Sequence, residues 1–127
     1  MLDTDISSYI IKKRPESLLQ NLQKYSQRIC VSVITAAELV FGADRANRPA
    51  LTSLVREFLE RLSVLDWTSA AVDHYARART APERSGTPIG SMDLLIAAHA
   101  LSQNCAIVTN NIKYFSRVPG LKVEVWQ

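Results

Sequence analysis

The sequence predicts an α/β fold, with a mostly parallel sheet of about five strands covered by helices on both faces. Three observations carry this. Short runs rich in β-branched residues, at 29–34 and 106–109, stand between longer helical stretches, and strands alternating with helices imply parallel pairing through crossovers. Leu51, Leu54, Val55, Phe58, Leu59 and Leu62 recur at spacings of three and four, the period of an amphipathic helix lying on a core. Residues 94–98, with Ala100 and Leu101, are apolar around most of the helix circumference, as expected of a helix buried against more than one neighbour.

Each element has its local reason. Met1-Leu2 followed by Asp3-Thr4-Asp5 reads as the last piece of a strand running into a turn; this strand is unusually short or begins upstream. A short helix at 6–11 and the basic cluster Lys12-Lys13-Arg14 follow. Pro15 is suited to open a helix, with Leu18, Leu19 and Leu22 as its apolar stripe. Residues 29–34 read as a buried strand. Thr35 and Glu38 then fit a capping box, Thr35 as N-cap and Glu38 reaching back, with the helix running towards Ala46. Pro49 opens the amphipathic helix, residues 63–65 form a short strand, and Thr68 begins another helix. Residues 85–88 form a loop. Gly90 and Ser91 read as a turn and an N-cap for the apolar helix. Residues 106–109 are a strand ending at Asn110-Asn111, 115–120 a loop, and 121–126 a final edge strand.

The chain has 127 residues, 47% of them hydrophobic and 21% charged, which suits a single domain with its own core. No apolar run approaches the ~20 residues of a membrane span and no signal segment opens the chain, so a cytoplasmic location is the expectation. Cys30 and Cys105 lie in apolar surroundings and read as packing residues. A net charge of +3 permits a nucleic-acid partner without requiring one.

Sites in parallel α/β folds form beyond the carboxyl ends of the strands. Asp3 follows the first strand there, Glu38 the second by about one helical turn, and Thr109-Asn110-Asn111 end a later strand; Asp93 stands in the first turn of the apolar helix. An aspartate in a first turn either complements the positive helix end or works at the mouth of a pocket. Three converging carboxylates repel one another unless a cation lies between them. Oxygen donors without His or Cys suit Mg²⁺ or Mn²⁺, the ions of phosphoryl chemistry. Each residue also has a plainer role: Asp3 and Asp5 as turn residues, Glu38 as half of a capping box, Asn110-Asn111 as a turn, and His74 and His99 as helix-surface or packed residues.

Taken in order, residues 1–5, Ala37 to Ala43, Gly90 to Ala100, Val108 to Asn111 with Phe115, and the closing 115–121 and 124–126 segments resemble the PIN-domain nucleases. More narrowly, they resemble the VapC-type toxins of bacterial toxin–antitoxin pairs. The resemblance implies a PIN-like three-layer α/β/α fold over residues 1–127 and a Mg²⁺- or Mn²⁺-dependent endoribonuclease. Asp3, Glu38 and Asp93 would be its metal-binding carboxylates, and Thr109 and Asn111 would complete the catalytic site. Many PIN nucleases carry a fourth acid after this strand; Asn110-Asn111 supply none, which puts a firmly held second metal in doubt. The resemblance further implies a structured RNA substrate, a tRNA, with the initiator tRNA anticodon loop as the narrower expectation. It also implies a cognate VapB-type antitoxin, a homodimer and higher assemblies with the antitoxin. Lys12, Lys13, Arg14, Arg84 and Lys113, with Arg45 and Arg48, are candidates for phosphate contacts, and Tyr9, Phe41 or Tyr114 for base stacking. The helix of Phe58 and Leu59 and the 18–22 stripe offer apolar surface for a second copy or an antitoxin peptide. Two rival readings stand beside this one: a phosphatase resembling the haloacid dehalogenases, from Asp3-Thr4-Asp5, and a degenerate PIN domain that binds without cutting.

Overall fold

Alternation of side chains along extended backbone sorts the central residues into two cores. Met1, Cys30 and Ile107 bury towards one face of the sheet, where they meet Leu94, Ile96, Ala97, Ala100 and Phe115. Their chain neighbours Leu2, Val31 and Val108 bury towards the other, against Ile6, Ile10 and Leu18. This computed structural model describes residues 1–126. Its elements run α1 (Thr4–Lys13), α2 (Glu16–Lys24), β1 (Cys30–Ser32), α3 (Val33–Ala46), α4 (Pro49–Glu60), β2 (Ser63–Leu65), a 3₁₀ turn (Ser69–Ala71), α5 (Val72–Arg84), α6 (Ser91–Ser102), β3 (Ile107–Val108), α7 (Ile112–Phe115) and β4 (Val123–Glu124).

The strands pair in parallel, β1 with β2 and β3 with β4. Leu2 bridges Val31 on one side and Val108 on the other, also in parallel, so the first residues of the chain join the two pairs. The Leu2 amide donates to the Cys30 carbonyl at 2.9 Å, the Val108 amide to the Met1 carbonyl at 2.8 Å, and the Asp3 amide to the Val108 carbonyl at 3.0 Å. The spatial order is therefore β2, β1, the Leu2 segment, β3, β4. Helices α1 and α2 cover one face and α5 and α6 the other, giving the α/β/α layering expected. A third apolar cluster joins α1, α3 and α4 through Ile11, Leu39, Ala43, Leu51 and Val55.

Several boundaries differ from the expectation, each for a local reason. The helix at 6–11 extends to Thr4–Lys13 because Asp3 caps it. The strand at 29–34 stops at Ser32, whose hydroxyl accepts from the Ile34 amide at 3.1 Å and so caps α3. Thr35 is thus inside α3 rather than its N-cap, and the capping box with Glu38 does not form. Helix α6 begins at Ser91 itself, with Gly90 as N-cap and no side-chain cap. The segment after Asn111 holds the short helix α7, and Phe115, expected in a loop, is its fully buried last residue. Among the described residues, no helix is long and apolar enough to cross a membrane.

Candidate active site

Asp3 is the residue around which the sheet edge is built. It follows Leu2 at the carboxyl end of the sheet, is 2% exposed, and holds both carboxylate oxygens in hydrogen bonds. Oδ1 accepts from the Ile6 amide at 2.8 Å, capping α1, and Oδ2 accepts from the Thr109 hydroxyl. Thr109 in turn accepts from the Asn111 amide at 2.8 Å. The backbone after β3 is therefore tied to Asp3 through one buried hydroxyl. Burial pushes the Asp3 carboxyl up to about 6, beyond what those hydrogen bonds pull back, and the charges of Asp5 and Asp93 add to the rise.

Glu38 reaches the same edge from α3. The Thr4 hydroxyl lies 2.6 Å from Glu38 Oε1 and 3.2 Å from the Thr35 hydroxyl. An ionised carboxylate only accepts, so the single Thr4 proton goes to Glu38. Asp93 is the third residue of α6 and half-buried. Its carboxyl is raised by burial first and then by the charges of Asp5 and Glu38. Asn111 is half-buried at the N-cap of α7, and Asn110 is exposed beside it.

The structure thus brings Asp3, Glu38, Asp93, Thr109 and Asn111 to one end of the sheet, and adds two residues that the sequence reading left aside. Thr4 orients Glu38, and Asp5 adds a fourth negative charge. Thr4 carried no separate signal, whereas Asp5, two residues past Asp3, was visible but reads equally well as a turn residue.

Among the described residues, no basic side chain forms an ion pair with these acids: the ion pairs are Arg61–Glu57 and Arg79–Glu83, on the helix surfaces. A buried carboxylate without a cationic partner is unfavourable, and the donors here are all oxygen, so the set fits a hard divalent cation. Among the described residues, no three acids, histidines or cysteines yet stand close enough to enclose one. Asp3 and Glu38 satisfy oxygens with Thr109, Ile6 and Thr4.

The candidate RNA contacts separate. Lys12 shares a cavity with Asp5 and Glu38. Lys113 and Arg117 lie over the exposed Tyr114 ring at 5.9 and 4.8 Å, and Arg45 lies 5.9 Å from the Phe41 ring, which is 62% exposed. Lys13 is exposed in the last turn of α1, and Arg84 is exposed at the end of α5. Arg14 instead borders a groove of about 470 Å³ between α1, α2 and α4, with Ile10, Leu19, Leu22, Leu54 and Phe58. His99 is a packed residue, 1% exposed, with Nδ1 2.6 Å from the Ser32 hydroxyl. His74 lies half-buried on α5, 3.4 Å from Arg77. Cys30 and Cys105 are both free.

Carboxylates gathered at the carboxyl edge of a short parallel sheet, with a buried Asp3 among them, define a candidate metal-dependent phosphodiesterase site. Residues 1–121 match the PIN domain family, and the chain belongs to that family. Within it, the chain falls among the VapC ribonucleases. It is 39% identical over 127 residues to the tRNA(fMet)-specific endonuclease VapC of Salmonella typhimurium, covering 99% of this chain and 96% of that protein. The structure of DNA-bound VapBC from Salmonella typhimurium superposes with a TM-score of 0.96 at 38% identity, covering 100% of this chain and 97% of that one. VapBC2 from Rickettsia felis, bound to a DNA fragment from its promoter, gives 0.94 at 39% identity, over 100% and 98% of the two chains. This membership sets aside the phosphatase reading and implies a divalent metal.

Proposed function

We propose that this chain is a toxin endoribonuclease that cuts a structured RNA, a tRNA, with Mg²⁺ or Mn²⁺ held by Asp3, Glu38 and Asp93, and that a cognate VapB-type antitoxin neutralises it. The observation that carries the reading is Asp3: a buried carboxylate at the sheet edge, with two acids pressing on it and no basic partner. The initiator tRNA is the first substrate to try, because the Salmonella relative is named for tRNA(fMet).

When bound, the divalent ion supplies a water of lowered pKa and positive charge for the phosphate in flight. The protein's part is positional. The Thr109 hydroxyl and the Ile6 amide fix both oxygens of Asp3. Thr4 fixes Glu38, and the N-terminal turn of α6 carries Asp93. The Asn111 backbone amide donates to the Thr109 hydroxyl, and its uncharged side chain adds no charge after β3. Lys12, Lys13, Arg84 and Lys113 supply a basic rim for phosphates, and exposed Phe41 and Tyr114 supply faces for unpaired bases.

The apolar groove between α1, α2 and α4 suits an amphipathic segment of the antitoxin, since such grooves take helices by their apolar face. A homodimer is the oligomeric state the family membership suggests, which light scattering would check. The test of function is induced expression in a bacterial host with mapping of new RNA 5′ ends. Growth arrest with one recurrent tRNA cut, relieved by the antitoxin, supports the reading; arrest without any new RNA end refutes it.

A further inference from the structure

This inference rests on the reading of Asp93 and Glu38 as metal ligands of a ribonuclease, and concerns His99, a buried group with no part in the mechanism above. His99 is 1% exposed, and Ser32, at the end of β1, is 0% exposed. His99 Nδ1 lies 2.6 Å from the Ser32 hydroxyl, which itself accepts from the Ile34 amide at 3.1 Å. Among the described residues that hydroxyl has no other acceptor, so its one proton goes to Nδ1. The ring is neutral, because burial lowers its pKa more than the nearby Asp66 backbone raises it. Among the described residues, Nε2 has no partner in hydrogen-bond geometry. One bond, to the cap of α3, therefore anchors the whole imidazole.

Packing alone gives no reason for a histidine here, since leucine fills a similar volume and leaves no buried nitrogen unpaired. The place of the bond in the fold gives one. Ser32 is the N-cap of α3, and Glu38 lies six residues further along that helix; Asp93 lies six residues before His99 on α6. At ~1.5 Å per residue, the bond stands roughly 9 Å along each helix from the acid that helix carries. Thr4 holds the Glu38 carboxylate, but no side chain caps α6, so Asp93 takes its place from how α6 itself is seated. Smooth apolar contacts such as those of Ile96, Ala97 and Ala100 let packed helices slide by small amounts, whereas a hydrogen bond is directional. We propose that His99 is a positioning residue for this metal site: through Ser32 it locks α6 onto the first turn of α3 and so fixes how far Asp93 stands from Glu38.

The test compares Mn²⁺ affinity, by calorimetry on the full chain stripped of metal, with single-turnover cleavage of initiator tRNA. His99→Leu and Ser32→Ala should each weaken Mn²⁺ and slow cleavage on the order of tenfold, as loss of a group that orients a metal ligand does, with the half-saturating RNA concentration unchanged. His99→Asn, which sets an oxygen close to the position of Nδ1, should restore most of both. The double variant should lose no more than either single one, as expected of two residues acting through one bond. Ile29→Ala, in the other core at the amino end of the sheet, lowers the melting temperature away from this bond and should bind Mn²⁺ as wild type. Wild-type behaviour in His99→Leu and Ser32→Ala, losses that multiply in the double variant, or an equal loss in Ile29→Ala overturns this proposal and leaves the ribonuclease reading in place. A wild-type chain that takes up no Mn²⁺ overturns both.

Discussion

Replacing Asp3 with asparagine should stabilise the metal-free protein, and the size of the gain follows from the position of the side chain. Burial moves the carboxyl from 3.8 to about 6, so the ionised form at pH 8 is disfavoured in the fold by ~3 kcal/mol. Asparagine removes that charge and keeps an oxygen for the Ile6 amide. Its amide group must face Thr109, which already accepts from Asn111; this readjustment costs ~1 kcal/mol. The net gain is ~2 kcal/mol, or about 8 °C in melting temperature for a domain of this size. The sign of the pH effect follows from the raised folded-state value. Between about 6 and 3.8 the native state binds more protons than the unfolded chain, so the wild type gains stability as pH falls through 6. About half of the charge penalty should be gone by pH 5. Melting curves in chelator at pH 8 and pH 5 check this. A variant that melts at or below the wild type at pH 8, or a gap unchanged by acid, would refute the reasoning.

Three further outcomes follow. His99 is buried and its pKa lowered by that burial, with Asp66 opposing; its contribution is complete above about 6.5 and is lost as pH falls below that value. His99→Gln should flatten this part of the pH–stability profile. Thr4→Val should lower cleavage on the order of tenfold by releasing Glu38, with the melting temperature in chelator nearly unchanged, and single-turnover kinetics would show it. Lys12→Ala should weaken RNA binding and reduce its salt slope by about one, readable from filter binding at several salt concentrations.

Much of the fold was legible because the chain repeats simple periods. Met1/Leu2, Cys30/Val31 and Ile107/Val108 divide between the two faces as alternation requires, and the spacings from Leu51 to Leu62 placed α4. The misreadings were local. Val33 and Ile34 look like strand continuation by residue type, yet the Ser32 hydroxyl holds the Ile34 amide and starts a helix. Helix α7 is four residues long, too short for any period to show. At the site, Asp3 and Glu38 were marked by their places after strands, and Asp93 by its place in the first turn of the apolar helix. Asp5 was hidden by a plausible turn role, and Thr4 by the supposed capping box, which gave Glu38 a partner in Thr35 that it does not have.

The most direct test is incubation of a total tRNA pool with purified protein, in Mg²⁺ and in chelator, comparing wild type with Asp93→Ala. The account predicts one discrete cut, present only with metal and absent in the variant. An intact pool after incubation with folded, metal-supplied wild type, or the same cut made by Asp93→Ala, would contradict it.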